Sequence, residues 1–126
     1  MYKIFKKANI SIDGKERFSL SRIWDKGQPK LLYIMLNPSI ADGKKDDPTI
    51  KRLIFFTKKH RYGGFYVANL FTQITPYPKE LNMYNHSNKK NLMKLFERQK
   101  NYLLSKIRAR EEYLMYIQMN LIFEEQ

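Results

Sequence analysis

The run Lys30-Leu31-Leu32-Tyr33-Ile34-Met35-Leu36 decides the fold of this chain. A continuous apolar stretch of this kind is typical of a strand that is covered on both faces. A second run, Phe65-Tyr66-Val67-Ala68-Asn69-Leu70-Phe71, is aromatic and β-branched and follows the pair Gly63-Gly64. The two runs predict two buried strands at the centre of one α/β sheet.

The segment between the two runs predicts a helix from Asp47 to about His60. Asp47 is suited to cap free backbone N–H groups, and Pro48 suits the first helical position. The residues that recur at helical spacing, and so form the buried face, are Ile50, Leu53, Ile54 and Thr57. The resulting βαβ unit has a right-handed crossover, which places the loops after both strands at the same edge of the sheet.

Two further patterns flank this unit. Residues 9–12 and 17–20 are β-prone and enclose Asp13-Gly14, a dipeptide that favours the tight turn of a β-hairpin. After Ser87, apolar residues return at helical spacing, and the stripe consists of Leu92, Leu95, Phe96, Leu103 and Ile107. We therefore predict an α/β fold with an N-terminal β-hairpin, a three-layer βαβ core and a C-terminal helical segment.

The composition limits the classes of function. The chain has 126 residues and no cysteine, so it fits one compact unit without disulfides, thiolate catalysis or cysteine-ligated metal sites. Residues 1–7 lack the apolar stretch of a signal peptide, and no segment approaches the roughly 20 apolar residues of a membrane span. We therefore expect a cytoplasmic protein that has no membrane partner.

The charge is the strongest global signal. Lysine and arginine total 24 against 12 acidic residues, and this net charge of +12 favours polyanionic partners such as nucleic acid or a nucleotide. A lysine-rich solvated surface explains the same charge without any partner, because charge governs association and not fold. The sequence does not identify a cofactor.

Polar residues crowd the loop and the first helical turn that follow the first buried strand. In a functional interpretation they line a crevice, where amides and hydroxyls hydrogen-bond a ligand, a carboxylate positions water and an arginine meets an anionic group. The candidates are Asn37, Asp42 and Asp47 for catalysis, and Ser39, Thr49 and Arg52 for ligand binding.

The same residues also have a structural interpretation. Asn37-Pro38-Ser39 is a turn sequence, and Asp47 is a helix cap. Asp42 and Asp46 then only lie near the positive end of the helix. The sequence predicts no metal site here, and it leaves open whether the three aspartates together bind an ion.

Asn69 is an amide inside an otherwise apolar run. A buried amide must find hydrogen-bond partners, since otherwise it loses its hydration without compensation. Asn69 either faces the same crevice as Asn37 and reads a base or sugar edge, or it bonds the backbone of the proline-containing loop that follows. We therefore add Asn69 to the ligand-binding candidates.

Four motifs give the chain a recognisable pattern. They are Arg17-Phe18-Ser19-Leu20-Ser21-Arg22-Ile23-Trp24, Leu36-Asn37-Pro38-Ser39 with Ala41-Asp42, Asp46-Asp47-Pro48-Thr49-Ile50-Lys51-Arg52, and Asn69-Leu70-Phe71. In order and spacing they resemble the domain of unknown function 1643 family over about residues 15–91. The resemblance implies membership of an uncharacterised bacterial family that also occurs on mobile elements.

The layout also resembles, more distantly, that of the uracil-DNA glycosylase superfamily. In those enzymes a motif after the first core strand orients water at a glycosidic bond, and an asparagine reads the extruded base. The resemblance implies that Asn37 with Asp42 or Asp47 lies on the water side and that Asn69 reads the base.

The carboxyl-terminal part departs from the family pattern, because relatives typically continue through another strand to a segment with glycine and histidine-proline. We therefore divide the chain into a family-like α/β domain, 1–91, and an atypical basic helical segment, 92–126. The cations that we expect to contact nucleic acid there are Lys94, Arg98, Lys100, Lys106, Arg108 and Arg110. Ile107, Leu114 and Leu121 recur every seven residues, which favours an apolar seam for self-association.

The function that we predict is an uncharacterised family protein with a nucleotide- or nucleic-acid-directed pocket at the ends of the two buried strands, glycosylase-like in its strongest form. Two alternatives stand beside it. One is a non-catalytic basic nucleic-acid-binding module, and the other is a truncated, inactive family member whose sheet edge is uncovered. The sequence leaves open whether the protein is an enzyme.

Overall fold

The computed structural model describes residues 3–36, 38–75, 89–106 and 113–117. Its elements in chain order are β1 (Phe5–Ile10), β2 (Arg17–Ile23), β3 (Lys30–Met35), α1 (Pro48–Lys59), β4 (Gly64–Asn69), α2 (Lys89–Lys106) and β5 (Tyr113–Ile117). The predicted hairpin, both predicted buried strands and both predicted helices are present.

The strands described form one mixed sheet in the order β1-β2-β4-β3-β5. β3 lies parallel to β4 and to β5, whereas β2 runs antiparallel to β1 and to β4. Since α1 connects β3 to β4, the predicted βαβ unit is confirmed.

The two helices pack on opposite faces of this sheet, which makes three layers. On the α1 face the buried apolar residues are Leu20, Trp24, Leu31, Tyr33, Ala41, Ile50, Phe65 and Val67. On the α2 face they are Leu32, Ile34, Ala68, Leu70, Phe71, Leu92, Phe96 and Leu103. Successive residues of β3 and β4 point to alternate faces, so each strand contributes to both halves of the core.

Local sequence fixes both ends of α1. Asp47 accepts a hydrogen bond from the Ile50 backbone N–H at 2.8 Å, and Pro48 occupies the first helical turn, as predicted. Beyond the helix, a Cβ atom on Gly63 would lie 1.9 Å from the carbonyl oxygen of Asp25. Only glycine therefore fits where the chain turns from α1 towards β4.

The N-terminal hairpin contains a β-bulge that positions one buried side chain. Asn9 pairs with Ser19 and Ile10 pairs with Arg17, so Phe18 has no opposite residue on β1. A bulge changes the alternation of side chains along its strand. The Arg17 side chain consequently reaches the loop that precedes α1.

The carboxyl-terminal segment differs in part from the prediction. The helical stripe is confirmed in α2, where Leu92, Phe96 and Leu103 are buried. Residues Tyr113–Ile117, however, form β5 and pair in parallel with β3. The helical seam through Leu114 is therefore wrong, and β5 covers the edge of β3 that the alternative of a truncated family member leaves open.

The reason for the error lies in the type of residue at 113–117. A short, continuous apolar run that contains two tyrosines and an isoleucine suits a parallel strand better than one face of a helix. The seam residues Ile107 and Leu121 lie outside the described residues. Within the parts of the chain that are described, no helix is long and apolar enough to span a membrane.

Candidate functional site

The loops that follow β3 and β4 lie side by side at one edge of the sheet, as the crossover predicts. Three backbone hydrogen bonds join them: Leu70 N–H donates to Met35, Phe71 N–H to Leu36, and Thr75 N–H to Pro38, at 2.8 to 3.0 Å. The candidate site is built on this joined edge, on the side of the sheet that carries α1.

Asn69 lies at the end of β4 and is only 2% exposed. Its Oδ1 accepts a hydrogen bond from the guanidinium of Arg17 at 3.4 Å. Because arginine only donates, the amide atom that faces Arg17 must be the oxygen, and Nδ2 points away from it. The described residues supply no hydrogen-bond acceptor to Nδ2. The bond that we find is thus to a side chain and not to the backbone of the following loop.

Arg17 is almost fully buried and connects Asn69 to the loop before α1. Its Nη1 donates to the carbonyl oxygen of Ala41 at 3.1 Å. Its Nε is the one buried side-chain nitrogen or oxygen among the described residues that has no hydrogen-bond partner. Burial lowers the pKa of Arg17 to about 10, although the carboxylate of Asp47 opposes that effect, so the guanidinium stays charged at neutral pH.

Asp47 completes the same hydrogen-bonded network. Its Oδ1 accepts from the Ile50 backbone, and its Oδ2 accepts from the Ala41 N–H at 3.2 Å. The peptide groups of Ala41 therefore bridge Asp47 and Arg17. We call Arg17, Ala41, Asp47 and Asn69 the strand-end network, because together they form one buried polar chain at this edge.

Asp42 has a local structural role. Its Oδ1 accepts hydrogen bonds from the backbone N–H groups of Lys45 and Lys44, at 2.6 and 2.8 Å. These two bonds lower the pKa of Asp42 below its ordinary value, because they stabilise the charged carboxylate. Asp42 thus holds the loop at residues 42–45, a role that the sequence did not predict for it, and its carboxylate stays ionised near neutral pH.

Asp46 links the same loop to β1 and β2 through two ion pairs. Its two oxygens accept from Arg22 Nε at 2.8 Å and from Lys6 Nζ at 2.9 Å. Burial by itself would raise the pKa of Asp46, but the hydrogen bonds from Lys6 and Arg22 outweigh it and lower the pKa. With Asp42 in a turn and Asp47 at a cap, the three aspartates are used separately. In the part of the chain that is described, no group of three histidine, aspartate or glutamate side chains is placed to hold a metal ion.

The remaining loop candidates lie around this network. Ser39 is half-buried in the loop, and Thr49 and Arg52 are exposed on the first turns of α1. Asn37 lies outside the described residues. The structure thus brings Asn69 and Asp47 together and leaves Thr49 and Arg52 at the surface beside them. Arg17 was not among the predicted site residues; its position in the first family-like motif was the only signal for it.

The cations of α2 form a separate surface. Lys94, Arg98 and Lys106 are exposed. Lys100 is half-buried and pairs with Glu97 at 2.9 Å. Arg108 and Arg110 lie outside the described residues. Because α2 covers the opposite face of the sheet, this surface does not adjoin the α1 side on which the strand-end network lies.

The chain matches a protein-family model. A family model described as "Protein of unknown function (DUF1643)" matches residues 17–120. The match takes in α2 and β5, so the resemblance extends well beyond the limit near residue 91 that the motifs predicted. No curated protein and no solved structure matches the chain.

Proposed function

The chain belongs to the DUF1643 family of proteins of unknown function, and we propose that it binds a nucleotide, free or within nucleic acid, at the ends of β3 and β4. The observation that carries this proposal is the buried Asn69 amide, which Arg17 holds in one orientation. An oriented amide of this kind suits recognition of a base edge by hydrogen bonds.

The strand-end network has donors to offer a ligand. Asn69 Nδ2 donates, and so does Arg17 Nε, which lacks a partner in the part of the chain that is described. A buried donor without an acceptor costs roughly 1–3 kcal/mol, and a ligand that supplies the acceptor recovers that energy. Carbonyl oxygens of a base, or an anionic oxygen, are acceptors that match these two groups.

A glycosylase-like reaction is the stronger form of the proposal. It requires Asn37 and either Asp42 or Asp47 to orient water beside the ligand. Both oxygens of Asp47 already accept backbone hydrogen bonds. Asp42 keeps one oxygen outside its turn, yet its lowered pKa makes it a weak base. Binding is therefore better supported than hydrolysis.

The sharpest test replaces Asn69 by aspartate. Asn69→Asp keeps an oxygen that faces Arg17 and replaces the donor Nδ2 by a second carboxylate oxygen. The Arg17 guanidinium offsets the added negative charge, so the fold should be preserved. We expect the affinity for nucleoside monophosphates, measured by isothermal titration calorimetry, to fall about 10-fold or more, since a hydrogen bond to the ligand is replaced by repulsion. Gln28→Glu makes the same chemical change at an exposed position before β3 and should have no effect.

Hydrolysis is tested in parallel with oligonucleotides that contain uracil or other lesions, followed by cleavage of abasic sites. Activity that is lost in Asp42→Asn but not in Gln28→Glu would support the glycosylase-like form. If Asn69→Asp binds every nucleotide as the original chain does, the strand-end network is not the ligand site.

A second candidate function is non-catalytic binding of nucleic acid through α2. The exposed cations Lys94, Arg98 and Lys106 support it, because phosphate contacts need accessible positive charge and no specific pocket. In that case the triple change of these residues to glutamine should weaken DNA binding for all sequences and reduce its salt dependence, while Asn69→Asp should not.

A further inference from the structure

The outward face of α1 carries an aromatic ring that is largely in solvent. Phe55 is 71% exposed. At 100° per residue, its position is opposite to Ile50 and Thr57, the buried residues of α1. Single exposed apolar residues are common on proteins, so the exposure of Phe55 by itself indicates nothing.

The surroundings of Phe55 are what distinguish it. One helical turn before it are Lys51 and Arg52, and one turn after it are Lys58 and Lys59, all four exposed. Side chains three and four residues apart are neighbours on a helix, so these four residues border the position of the ring. The Lys58 ammonium lies 5.3 Å from the centroid of the Trp24 ring, and the other three cations have no such aromatic partner among the described residues. From Pro48 to Lys59 the helix has no acidic residue.

This combination selects the class of partner. Four exposed cations that form no ion pair with the described residues complement a polyanion, and the exposed Phe55 ring between them offers a surface on which a base can stack. An anionic membrane would also attract the cations, but insertion into it needs a broad apolar face. In α1 that face is buried against the sheet, because Ile50 and Thr57 lie in the interior and Leu53 and Ile54 pack on the core. Phe55 and Phe56, at 71% and 39% exposed, are too small an apolar surface for such insertion.

We propose that Lys51, Arg52, Phe55, Lys58 and Lys59, the α1 outer face, bind single-stranded nucleic acid, with a base stacked on Phe55 and phosphates on the cations. The helix rises 1.5 Å per residue, so Phe55 lies about 12 Å along the axis from Asp47 in the strand-end network. A single-stranded nucleic acid that is bound along this face of the helix therefore runs towards that network. The inference rests on the proposed function in one respect: both take nucleic acid as the partner. It does not require a nucleotide to bind at the strand-end network.

The test uses the full chain and a fluorescently labelled oligothymidine, with binding measured by anisotropy. Phe55→Ala should weaken single-strand binding about 5- to 100-fold, as expected for the loss of one stacked base. Phe55→Trp should restore the affinity, and its fluorescence should be quenched on binding, above the signal of Trp24, the single native tryptophan. Circular dichroism spectra verify that each variant is folded.

Phe5 provides a matched control on another surface. It is 48% exposed on β1, and the ammonium groups of Lys3 and Lys26 lie 5.7 and 5.4 Å from its ring centroid. Phe5→Ala therefore removes an exposed ring among lysines elsewhere and should leave the affinity unchanged. The affinity should fall with salt along a line of log affinity against log salt concentration. The double variant Lys51→Gln, Arg52→Gln should make this slope less steep by about 1.4, roughly 0.7 for each phosphate contact, whereas Phe55→Ala should not change it.

Unchanged single-strand affinity in Phe55→Ala would overturn the inference, and so would an equal loss in Phe5→Ala. If Phe55→Ala loses binding to vesicles of phosphatidylserine and phosphatidylcholine but keeps its affinity for the single strand, the α1 outer face binds a membrane instead. The strand-end network is tested separately, because Asn69→Asp should weaken mononucleotide binding and Phe55→Ala should not. If Asn69→Asp leaves mononucleotide binding unchanged, the proposed function fails, but the effect of Phe55→Ala on single-strand binding still tests the α1 outer face.

Discussion

The two buried arginines of β2 differ in how completely they are bonded. The guanidinium of Arg22 donates to Asp46 and to the backbone carbonyls of Ser21, Lys7, Asp42 and Lys45, so its five N–H groups all have acceptors. Arg17 leaves Nε without an acceptor among the described residues. Arg22 therefore has a structural role, whereas Arg17 has one N–H group that no acceptor among the described residues satisfies.

The Arg22–Asp46 pair gives a stability prediction. Asp46→Asn leaves the fully buried Arg22 without its counter-charge, and we expect the free energy of unfolding in urea to fall by about 2–3 kcal/mol. That is less than for a fully buried pair, because the Asp46 side chain is 14% exposed. Lys6→Gln removes the partner that is 30% exposed and should change the free energy by less than about 1 kcal/mol.

The same pair predicts a pH dependence. The pKa of Asp46 is lower in the folded chain than its ordinary value of 3.8, so its contribution is complete above 3.8 and is lost as the pH falls through the folded-state pKa. The difference in stability between the original chain and Asp46→Asn should therefore be largest near neutral pH and disappear in acid. A difference that does not vary with pH would contradict this assignment.

Single residues show which parts of the site were predictable. The cap at Asp47 followed from Asp-Pro before a helical pattern, and the burial of Asn69 followed from its place in an apolar run. The partnership of Asn69 with Arg17 did not follow. It depends on the bulge at Phe18, which redirects a side chain, and the sequence pattern of β2 contains no signal for that bulge.

Among the elements, α1 and its two flanking strands do most to position the site. They were predictable because each is a local pattern with clear boundaries, and Gly63-Gly64 separates α1 from β4. β5 was not, since its partner β3 lies about 80 residues earlier and no local pattern reports that pairing. Its residues were instead interpreted through a seven-residue recurrence, which a short run satisfies by chance.

The turn from α1 into β4 supplies a prediction at this scale. Gly63→Ala places a Cβ atom against the backbone carbonyl of Asp25, which cannot move without disturbing the start of β4. We expect a loss of roughly 3 kcal/mol in the free energy of unfolding, as for severe overpacking. Gly27→Ala is the control, because its Cβ would make an ordinary contact of 3.5 Å. Equal stability of the two variants would contradict the close approach at Gly63.

At the scale of the whole molecule, positive charge lies on both outer layers. Exposed cations occur on α1 at Lys51, Arg52, Lys58 and Lys59, and on α2 at Lys90, Lys94, Arg98 and Lys106. The sheet separates the two sets, and the helix axes lie roughly 20 Å apart given the width of a helix and of the layer between them. Under the proposed binding to nucleic acid, a short strand would contact one set at a time, and only a longer strand would span both.

This separation predicts a dependence on strand length. For a single strand of about 6 nucleotides, near the small end of known site sizes, Phe55→Ala should weaken binding and the change of Lys94, Arg98 and Lys106 to glutamine should not. For a strand of about 30 nucleotides, which exceeds such a site, both variants should weaken binding, and their effects should add because the two surfaces share no residue. Anisotropy titrations at two salt concentrations measure both effects. If the α2 variant weakens the short strand as much as the long one, α2 is the principal binding surface and the face around Phe55 is secondary to it.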